Sequence, residues 1–267
     1  MSQTGTATPL VGRRALVCGG TRGIGRAAAI ALAQAGAQVT LLARDQGRLE
    51  AAHSALPAAG GAKHGALRVD LADPDRAAET LGRWLAGNAP VHILINNAGG
   101  PPPGPLLDAG ADELRAGFAL HVLSSHRLTQ LVVPGMREAG YGRIVNIIST
   151  SVREPIRNLG VSNTVRAAMA AWAKTLAREL APFGITVNNI LPGYTRTDRL
   201  RSLIDGRARA SSTDPGTVER GMLAEVPLGR FAEPEEVAAA IAFLAAPAAG
   251  YITGVSLPVD GGRIAAM

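Results

Sequence analysis

Short apolar segments alternate with Ala-rich segments of helical spacing along most of the chain. The apolar segments have the length of buried strands, and Gly or Pro often stands at the ends of the helical ones. This pattern predicts strands at 15–17, 38–43, 66–69, 92–95, 143–148, 186–191 and 256–259. It predicts helices at 25–35, from 50 onward, and at 74–85, 112–138, 163–180 and 234–244. We expect Pro134 to bend the longest helix or to end its regular part.

The order of these elements determines the predicted fold class. Strands that are apolar on both faces and alternate with helices are typical of a parallel sheet covered on both sides. Right-handed crossovers then give an α/β, doubly wound sheet of the Rossmann type. No linker or repeat divides the chain, so we expect a single domain over 1–267 with an N-terminal tail at 1–12. Ligands of such folds bind in the loops that follow the strands.

Composition narrows the classes of function. Of the 267 residues 47% are apolar, but only 3% are aromatic, too few for a platform that stacks single-stranded nucleic acid. The net charge of +6 includes no run of like charges, so no nucleic-acid partner is expected. The single cysteine, Cys18, excludes an internal disulfide, and no spacing of metal ligands is found. Without a signal peptide or an apolar membrane span, we expect a cytoplasmic protein with no membrane partner.

The first predicted strand leads into a glycine-rich turn, Cys18 to Gly25, and a helix follows. Glycines let the backbone approach a pyrophosphate, and the helix N-terminus offers free N–H groups with a partial positive charge. A tight strand-to-helix turn is the simpler interpretation, but it does not require glycines at three of these positions together. The turn therefore indicates a dinucleotide site with candidate residues Gly19, Thr21, Arg22, Gly23, Ile24 and Gly25.

Several ordered motifs make the chain resemble the short-chain dehydrogenase/reductase family over about 13–262. The glycine spacing matches that family's fingerprint, although Cys18 stands where Thr is usual. The turn Asn96-Asn97-Ala98-Gly99 and the position of Ser149, the family's catalytic serine, also match. The C-terminal turn Asp260-Gly261-Gly262 matches as well. The resemblance implies an oxidoreductase, with further cofactor-binding residues Asp70, Leu71, Asn97, Ala98, Gly99, Pro192, Gly193, Thr195 and Thr197.

Two arginines determine which nicotinamide cofactor the sequence favours. An NAD site usually has an acidic residue at the end of the second strand to hold the ribose 2′-hydroxyl, whereas this strand ends at Arg44. A guanidinium suits a phosphate, and Arg22 lies in the glycine loop, beside the expected 2′-phosphate. Asp45 would weaken this preference if it bound Arg44. Two solvated arginines are the alternative; together the positions predict NADP(H), with NAD(H) less favoured.

The resemblance fails at the family's catalytic group. The family's Asn, Ser, Tyr and Lys correspond here to His121, Ser149, Ser162 and Arg166. A serine hydroxyl has no pKa near neutrality, unlike a tyrosine whose pKa a neighbour can lower. An arginine cannot release a proton. Ser162 and Arg166 are therefore expected to form a binding pair, in which Arg166 holds the cofactor ribose.

The proton must then come from another group. His121 has an ordinary pKa of about 6.5, which suits proton transfer near neutral pH. Tyr194 directly follows Pro192-Gly193, in the loop expected against the nicotinamide. A hydrogen-bonded helix residue is the alternative interpretation of His121, and a packing residue is that of Tyr194. Water is the third candidate source.

The Pro-rich turn at 101–105 and the segment from Ser162 to Arg166 resemble a 3-oxoacyl-carrier-protein reductase-like branch with an incomplete catalytic group. Residues at about 194–230 are expected to form a helical lid over the substrate, rich in arginine. We predict an NADP(H)-dependent oxidoreductase acting on a small carbonyl, alcohol or acyl substrate. The alternatives are an NADP(H)-binding sensor or partner protein without turnover, and a different reaction such as an isomerisation. The segment from 251 to 262 resembles the family's tetramer-forming end, so a homotetramer or dimer is expected.

Overall fold

The computed structural model describes residues 8–58, 61 and 63–266. One parallel sheet runs through it, with strand order β3-β2-β1-β4-β5-β6-β7. The strands are β1 (Arg14–Cys18), β2 (Gln38–Ala43), β3 (Gly65–Arg68), β4 (Ile93–Asn96), β5 (Gly142–Ile147), β6 (Ile185–Pro192) and β7 (Ser256–Val259). The strand order reverses between β1 and β4, where a doubly wound sheet binds ligands. The predicted fold class is confirmed.

Helices cover both faces of the sheet. They are α1 (Gly23–Gln34), α2 (Gln46–Ser54), α3 (Pro74–Ala86), α4 (Ala111–Phe118), α5 (Ser124–Glu138), α6 (Gly160–Leu180), α7 (Asp198–Ser211), α8 (Pro215–Ala224) and α9 (Pro234–Ala245). On one face, Leu32 of α1 and Ile241 of α9 pack in one apolar cluster with strand residues. On the other, Leu81 of α3, Leu128 of α5 and Ala173 of α6 do so. Within the described ranges, no helix is both long and apolar enough to cross a membrane.

The region predicted as one helix over 112–138 is divided in the structure. A π-helical turn (Ala119–Leu123) separates α4 from α5, while Pro134 lies inside α5, which continues to Glu138. The prediction of one helix over 112–138, bent or ended by Pro134, was therefore wrong about where the interruption lies. Ser124 contributes to the interruption, because its Oγ lies 2.7 Å from the Leu120 carbonyl oxygen and 3.1 Å from that of Leu71. Such π turns often occur at functional sites, and this one carries His121.

A ladder of buried polar side chains crosses the sheet near its carboxyl edge. Asn96 donates to the Asn146 amide oxygen at 2.8 Å, and Asn146 donates to that of Asn189 at 2.9 Å. Asn189 in turn donates to the Ser256 hydroxyl at 3.1 Å. The four residues are register partners on β4, β5, β6 and β7. Because these buried amides depend on one another for hydrogen bonds, they stabilise this register, from which the functional loops leave.

Residues 194–230 lie mostly in α7, α8 and their flanking turns. An apolar cluster of their own holds them together, with Tyr194, Ile204, Met222 and Phe231 among its buried members. Thr197 begins this unit by accepting a hydrogen bond from the backbone N–H of Leu200 at 3.4 Å, which caps α7. The cluster stands beside the carboxyl edge of the sheet, since it begins directly after β6.

Candidate active site

The glycine loop after β1 is shaped by close backbone contacts. A Cβ on Gly25 would collide with the Gly19 carbonyl oxygen and the Asn97 side-chain amide, and Gly19 itself has a φ of +59°. The Asn97 side chain donates to the carbonyls of Cys18 at 3.3 Å and Gly19 at 3.2 Å, joining this loop to the one after β4. No side chain caps the N-terminus of α1, which leaves its first N–H groups available. These features fit the diphosphate of a dinucleotide.

Exposed arginines lie in this loop and at the ends of the neighbouring strands β2 and β3. The Arg22 guanidinium is 3.9 Å from the Asp198 carboxylate, in a solvated pair. The expected competition of Asp45 for Arg44 is not seen, because Asp45 caps α2 by accepting from the Arg48 N–H at 2.9 Å. A third arginine, Arg68 on β3, donates from Nε to the Arg44 backbone carbonyl at 3.2 Å. Sequence reasoning missed Arg68, because pairing between strands brings it beside Arg44.

The other cofactor-binding candidates also follow strands at this edge. The Asp70 carboxylate accepts from the Ala72 N–H at 3.0 Å and so shapes the turn after β3. A Cβ on Gly23 would lie 3.1 Å from the Thr197 methyl carbon, so the glycine loop touches the loop after β6. Thr195 donates to the Gly193 carbonyl at 3.2 Å within that loop. Loops that are far apart in sequence therefore meet around the N-terminus of α1. The candidates in the loops after β3, β4 and β6 are Asp70, Leu71, Asn97, Ala98, Gly99, Gly193, Thr195 and Thr197, and Pro192 ends β6.

Ser149 follows β5 and has an extended backbone. Its Oγ accepts a hydrogen bond from the Ser151 N–H at 3.0 Å and caps a short 3₁₀ turn, Thr150–Val152. Ser162 lies in the first turns of α6 and is buried. It is four residues before Arg166, so both side chains belong to one face of the helix, as the sequence indicates.

Arg166 is a buried cation at the ends of two strands. Its Nη1 donates to the Ile147 carbonyl at 2.6 Å, and its Nη2 is 3.5 Å from that of Ala98. Burial, and secondarily the charge of Arg199, lower the pKa of Arg166 to about 10, so it keeps its charge at neutral pH. No salt bridge between described residues includes it, and its Nε has no hydrogen-bond partner there. The site thus holds a fixed positive charge.

His121 is buried beside this cation, and its environment argues against the predicted role of proton donor. Burial first, and the charge of Arg166 second, lower its pKa to about 2, although a backbone hydrogen bond with Gly99 acts in the opposite sense. At neutral pH the imidazole is therefore uncharged. Its Nε2 has no hydrogen-bond partner among the described residues. The π turn accordingly presents a neutral imidazole to the site rather than an acid.

Tyr194 packs in the apolar cluster of α7, α8 and their flanking turns, which argues against its predicted role as well. Its hydroxyl donates to the Glu225 carboxylate at 2.8 Å, and its ring meets that of Phe231 edge-on at 5.9 Å. Burial and the Glu225 hydrogen bond raise its pKa above the ordinary value. The Arg263 guanidinium covers the ring at 4.4 Å. A phenol held in this way is poorly suited to give up its proton to a substrate.

A small cavity lies between the loops after β1 and β4 and the side chains of His121 and Arg166. Its lining includes Asn97, Ala98, His121 and Arg166, and it has room for about one water molecule. Cys18 also lines it, but burial raises the pKa of this thiol to about 12, so it is no nucleophile at neutral pH. In the described part of the chain, no three His, Cys, Asp or Glu residues gather in a way that could hold a metal ion.

Comparisons with known proteins agree with this architecture. A family model described as enoyl-(acyl carrier protein) reductase matches residues 19–263. The 3-oxoacyl-[acyl-carrier-protein] reductase of Escherichia coli is 36% identical over 253 residues, which is 94% of this chain and 97% of that protein.

Two solved structures are similar over nearly their whole length. L-sorbose reductase from Gluconobacter frateurii, in complex with NADPH and L-sorbose, has a TM-score of 0.91 and 30% identity, covering 98% of this chain and 100% of that one. YwfH, an NADPH-dependent reductase involved in bacilysin biosynthesis, has a TM-score of 0.89 and 27% identity over 96% and 99% of the two chains. With the motifs in their expected places on a doubly wound sheet, the chain belongs to the short-chain dehydrogenase/reductase family of oxidoreductases.

Proposed function

We propose that this oxidoreductase uses NADP(H) to interconvert a small carbonyl compound and its alcohol, with a 3-oxoacyl compound as one candidate. The observation that carries the proposal is the continuity of the site. Through Asn97, the glycine loop is fastened to the loop in which Arg166 meets the Ala98 carbonyl, and both lie at one sheet edge. A nucleotide seated on α1 can therefore extend towards Ser149 and Arg166.

The preference for NADP(H) over NAD(H) is supported by charge. Arg22, Arg44 and Arg68 are exposed near the outer end of the glycine loop and β2, where the ribose 2′-phosphate would lie. Asp45, the nearest acidic residue in sequence, is occupied as the cap of α2. Guanidinium groups bind phosphate by paired, charge-assisted hydrogen bonds, which a 2′-hydroxyl cannot match.

NADP(H) held by the glycine loop and Arg166 would supply the hydride chemistry, and the protein would control the substrate oxygen. The Ser149 hydroxyl donates a hydrogen bond to that oxygen, and Arg166 holds the nicotinamide ribose. The fixed charge of Arg166, which is buried, also stabilises negative charge that develops nearby. We assign the proton to water, because His121 is neutral and the Tyr194 hydroxyl is bonded to Glu225. Ser162 would contribute binding only.

The missing Tyr and Lys favour a second candidate, a protein that binds NADP(H) without turnover. The experiment that separates the two incubates the protein with NADPH and a panel of ketones, aldehydes and 3-oxoacyl thioesters, and measures both NADPH oxidation and the product alcohol. The proposal expects turnover that Ser149→Ala lowers by about a hundredfold or more, as loss of a hydrogen-bond donor to a developing oxyanion does. Tight binding of NADPH without any turnover across the panel would favour the second candidate.

We also propose a homo-oligomer. Leu257 on the edge strand β7 is exposed, as are Tyr251 before that strand and Phe243 on α9. Large apolar side chains that remain exposed are typical of an interface between subunits. The mass in solution, measured by light scattering, tests this; a monomer at all concentrations would contradict it.

A further inference from the structure

Two guanidinium groups hydrogen-bond to carbonyls of the same short loop after β4. Arg166 Nη2 lies 3.5 Å from the Ala98 carbonyl oxygen, and Arg199 of α7 donates to the Pro101 carbonyl at 2.7 Å. Gly100 lies between these contacts, and a Cβ there would stand 3.2 Å from Arg199 Nη2. The two cations are close enough that the charge of Arg199 lowers the pKa of Arg166.

Neither cation is neutralised within the described part of the chain. The salt bridges found there include neither Arg166 nor Arg199. Arg166 is only 8% exposed, and its buried Nε has no hydrogen-bond partner. A buried charge without a counterion is costly, and a like charge nearby adds to the cost. An anionic ligand would lower both costs, by supplying a counterion and by offsetting the repulsion between the two cations.

The position of Arg199 indicates which part of the cleft this anionic ligand would occupy. Its neighbours in sequence face the glycine loop: Thr197 lies against Gly23, and Asp198 is 3.9 Å from Arg22. Arg199 instead bonds the loop that joins β4 to the Pro-rich turn. It therefore belongs to the side of the cleft on which the substrate is expected, rather than to the diphosphate site.

We propose that Arg199, backed by Arg166, binds a carboxylate of the substrate, so that the protein acts on an oxo acid or hydroxy acid. This inference rests on the proposed function, since it names the substrate class for the same site. Arg199 is exposed and can be reached from solvent, while its bond to the Pro101 carbonyl holds the guanidinium in place. A planar fork held in this way can make two parallel hydrogen bonds to a carboxylate.

The test compares acids with their esters, which differ by one charge. The probes are benzoylformate and pyruvate, each with its methyl ester, titrated calorimetrically into the protein with and without NADPH. We expect an acid to bind at least about tenfold more tightly than its ester, as a charge-assisted pair predicts. Arg199→Gln should remove most of this ratio, and Arg199→Lys should retain part of it. Arg178→Gln removes an exposed charge from the end of α6 and should leave the ratio unchanged.

Three outcomes would overturn the inference. The first is that no acid binds more tightly than its ester. In the second, Arg199→Gln weakens acid and ester equally, which would give Arg199 a structural role in holding the Pro-rich turn. In the third, Arg199→Gln weakens binding of inorganic pyrophosphate but leaves the acid-to-ester ratio intact, which would assign Arg199 to the cofactor. Failure of NADPH to bind, with the ratio intact, would contradict the proposed function alone.

Discussion

The glycine loop and the cluster around Arg166 share one edge of the sheet but are built in opposite ways. The glycine loop works through backbone shape, with close contacts between Gly19, Gly25 and Asn97 and with arginines that stay in solvent. The cluster works through buried side chains, Arg166 and His121, each of which has a nitrogen without a hydrogen-bond partner among the described residues. A backbone-shaped site keeps its function while its glycines remain. A site made of side chains changes its chemistry with each replacement.

The largest expected effect comes from adding one carbon to the glycine loop. In Gly25→Ala the new Cβ collides with the Gly19 carbonyl oxygen and the Asn97 amide. The glycine loop must shift to avoid this collision, and overpacking of this kind costs on the order of 3 kcal/mol. Because NADPH would have to bind the unshifted loop, its binding should weaken about a hundredfold. Gly82→Ala on α3 is the matched control, since its Cβ would meet nothing within 4 Å. Fluorescence titration measures both variants, and unchanged NADPH affinity in Gly25→Ala would mean that the loop does not bind the cofactor.

The second-largest effect is expected when the family's Tyr and Lys are introduced at positions 162 and 166 of the buried cluster. Ser162→Tyr with Arg166→Lys should raise carbonyl reduction at least about tenfold, because general-acid catalysis commonly contributes more than this. Ser162→Phe with Arg166→Lys supplies the same ring without the hydroxyl. Rates are compared at several pH values after circular dichroism has established that both proteins fold. If the Tyr and Phe variants are equally active, the surrounding geometry has also diverged.

A smaller effect is expected from the exposed arginines. Arg22→Gln and Arg44→Gln should each weaken NADPH binding about tenfold and leave NADH binding unchanged, since only NADPH carries the 2′-phosphate. The losses should shrink at high salt, because both side chains are solvated. Arg83→Gln on α3 removes an equivalent exposed charge far along the chain from the loop. Equal losses for both cofactors would argue that the arginines support the loop itself.

The smallest effect concerns the buried imidazole and is seen in stability. His121 has a folded pKa of about 2, below its unfolded value of about 6.5. Between these values the unfolded chain binds a proton that the folded chain does not, so stability falls as the pH drops below about 6.5. From about pH 7 to 5.5 the native protein should lose roughly 1 kcal/mol more than His121→Asn does. Urea unfolding measures this, and parallel losses would mean that His121 titrates normally.

The order of strands and helices could be predicted from sequence because apolar periodicity and glycine turns are local signals. The main error, the single helix over 112–138, has a cause that spacing does not reveal. The Ser124 hydroxyl contacts carbonyl oxygens of the preceding turn and of Leu71, in the loop after β3. Such a contact depends on the tertiary fold, and the sequence gives no period for it.

In the site, the loops that carry the candidate residues could be predicted but the surroundings of each side chain could not. His121 lies beside Arg166, whereas Tyr194, expected against the nicotinamide, packs in the apolar cluster of α7 and α8. Their pKa shifts depend on burial, on the charge of Arg166 and on the Glu225 carboxylate, which lies in a distant segment. Arg68 was missed, and Arg199 was noted only as one arginine of an arginine-rich lid, because in such a chain only tertiary contacts distinguish these two from the rest.

Parallel titration with NADPH and NADH is the sharpest test of a complete NADP(H) site beside an altered reaction site. Fluorescence of the reduced nicotinamide reports binding without any knowledge of the substrate. We predict that NADPH binds at least about tenfold more tightly than NADH, from the phosphate-pairing arginines. Equal affinity for the two cofactors, or binding of neither by a protein that circular dichroism shows to be folded, would mean that the chain has no complete NADP(H) site.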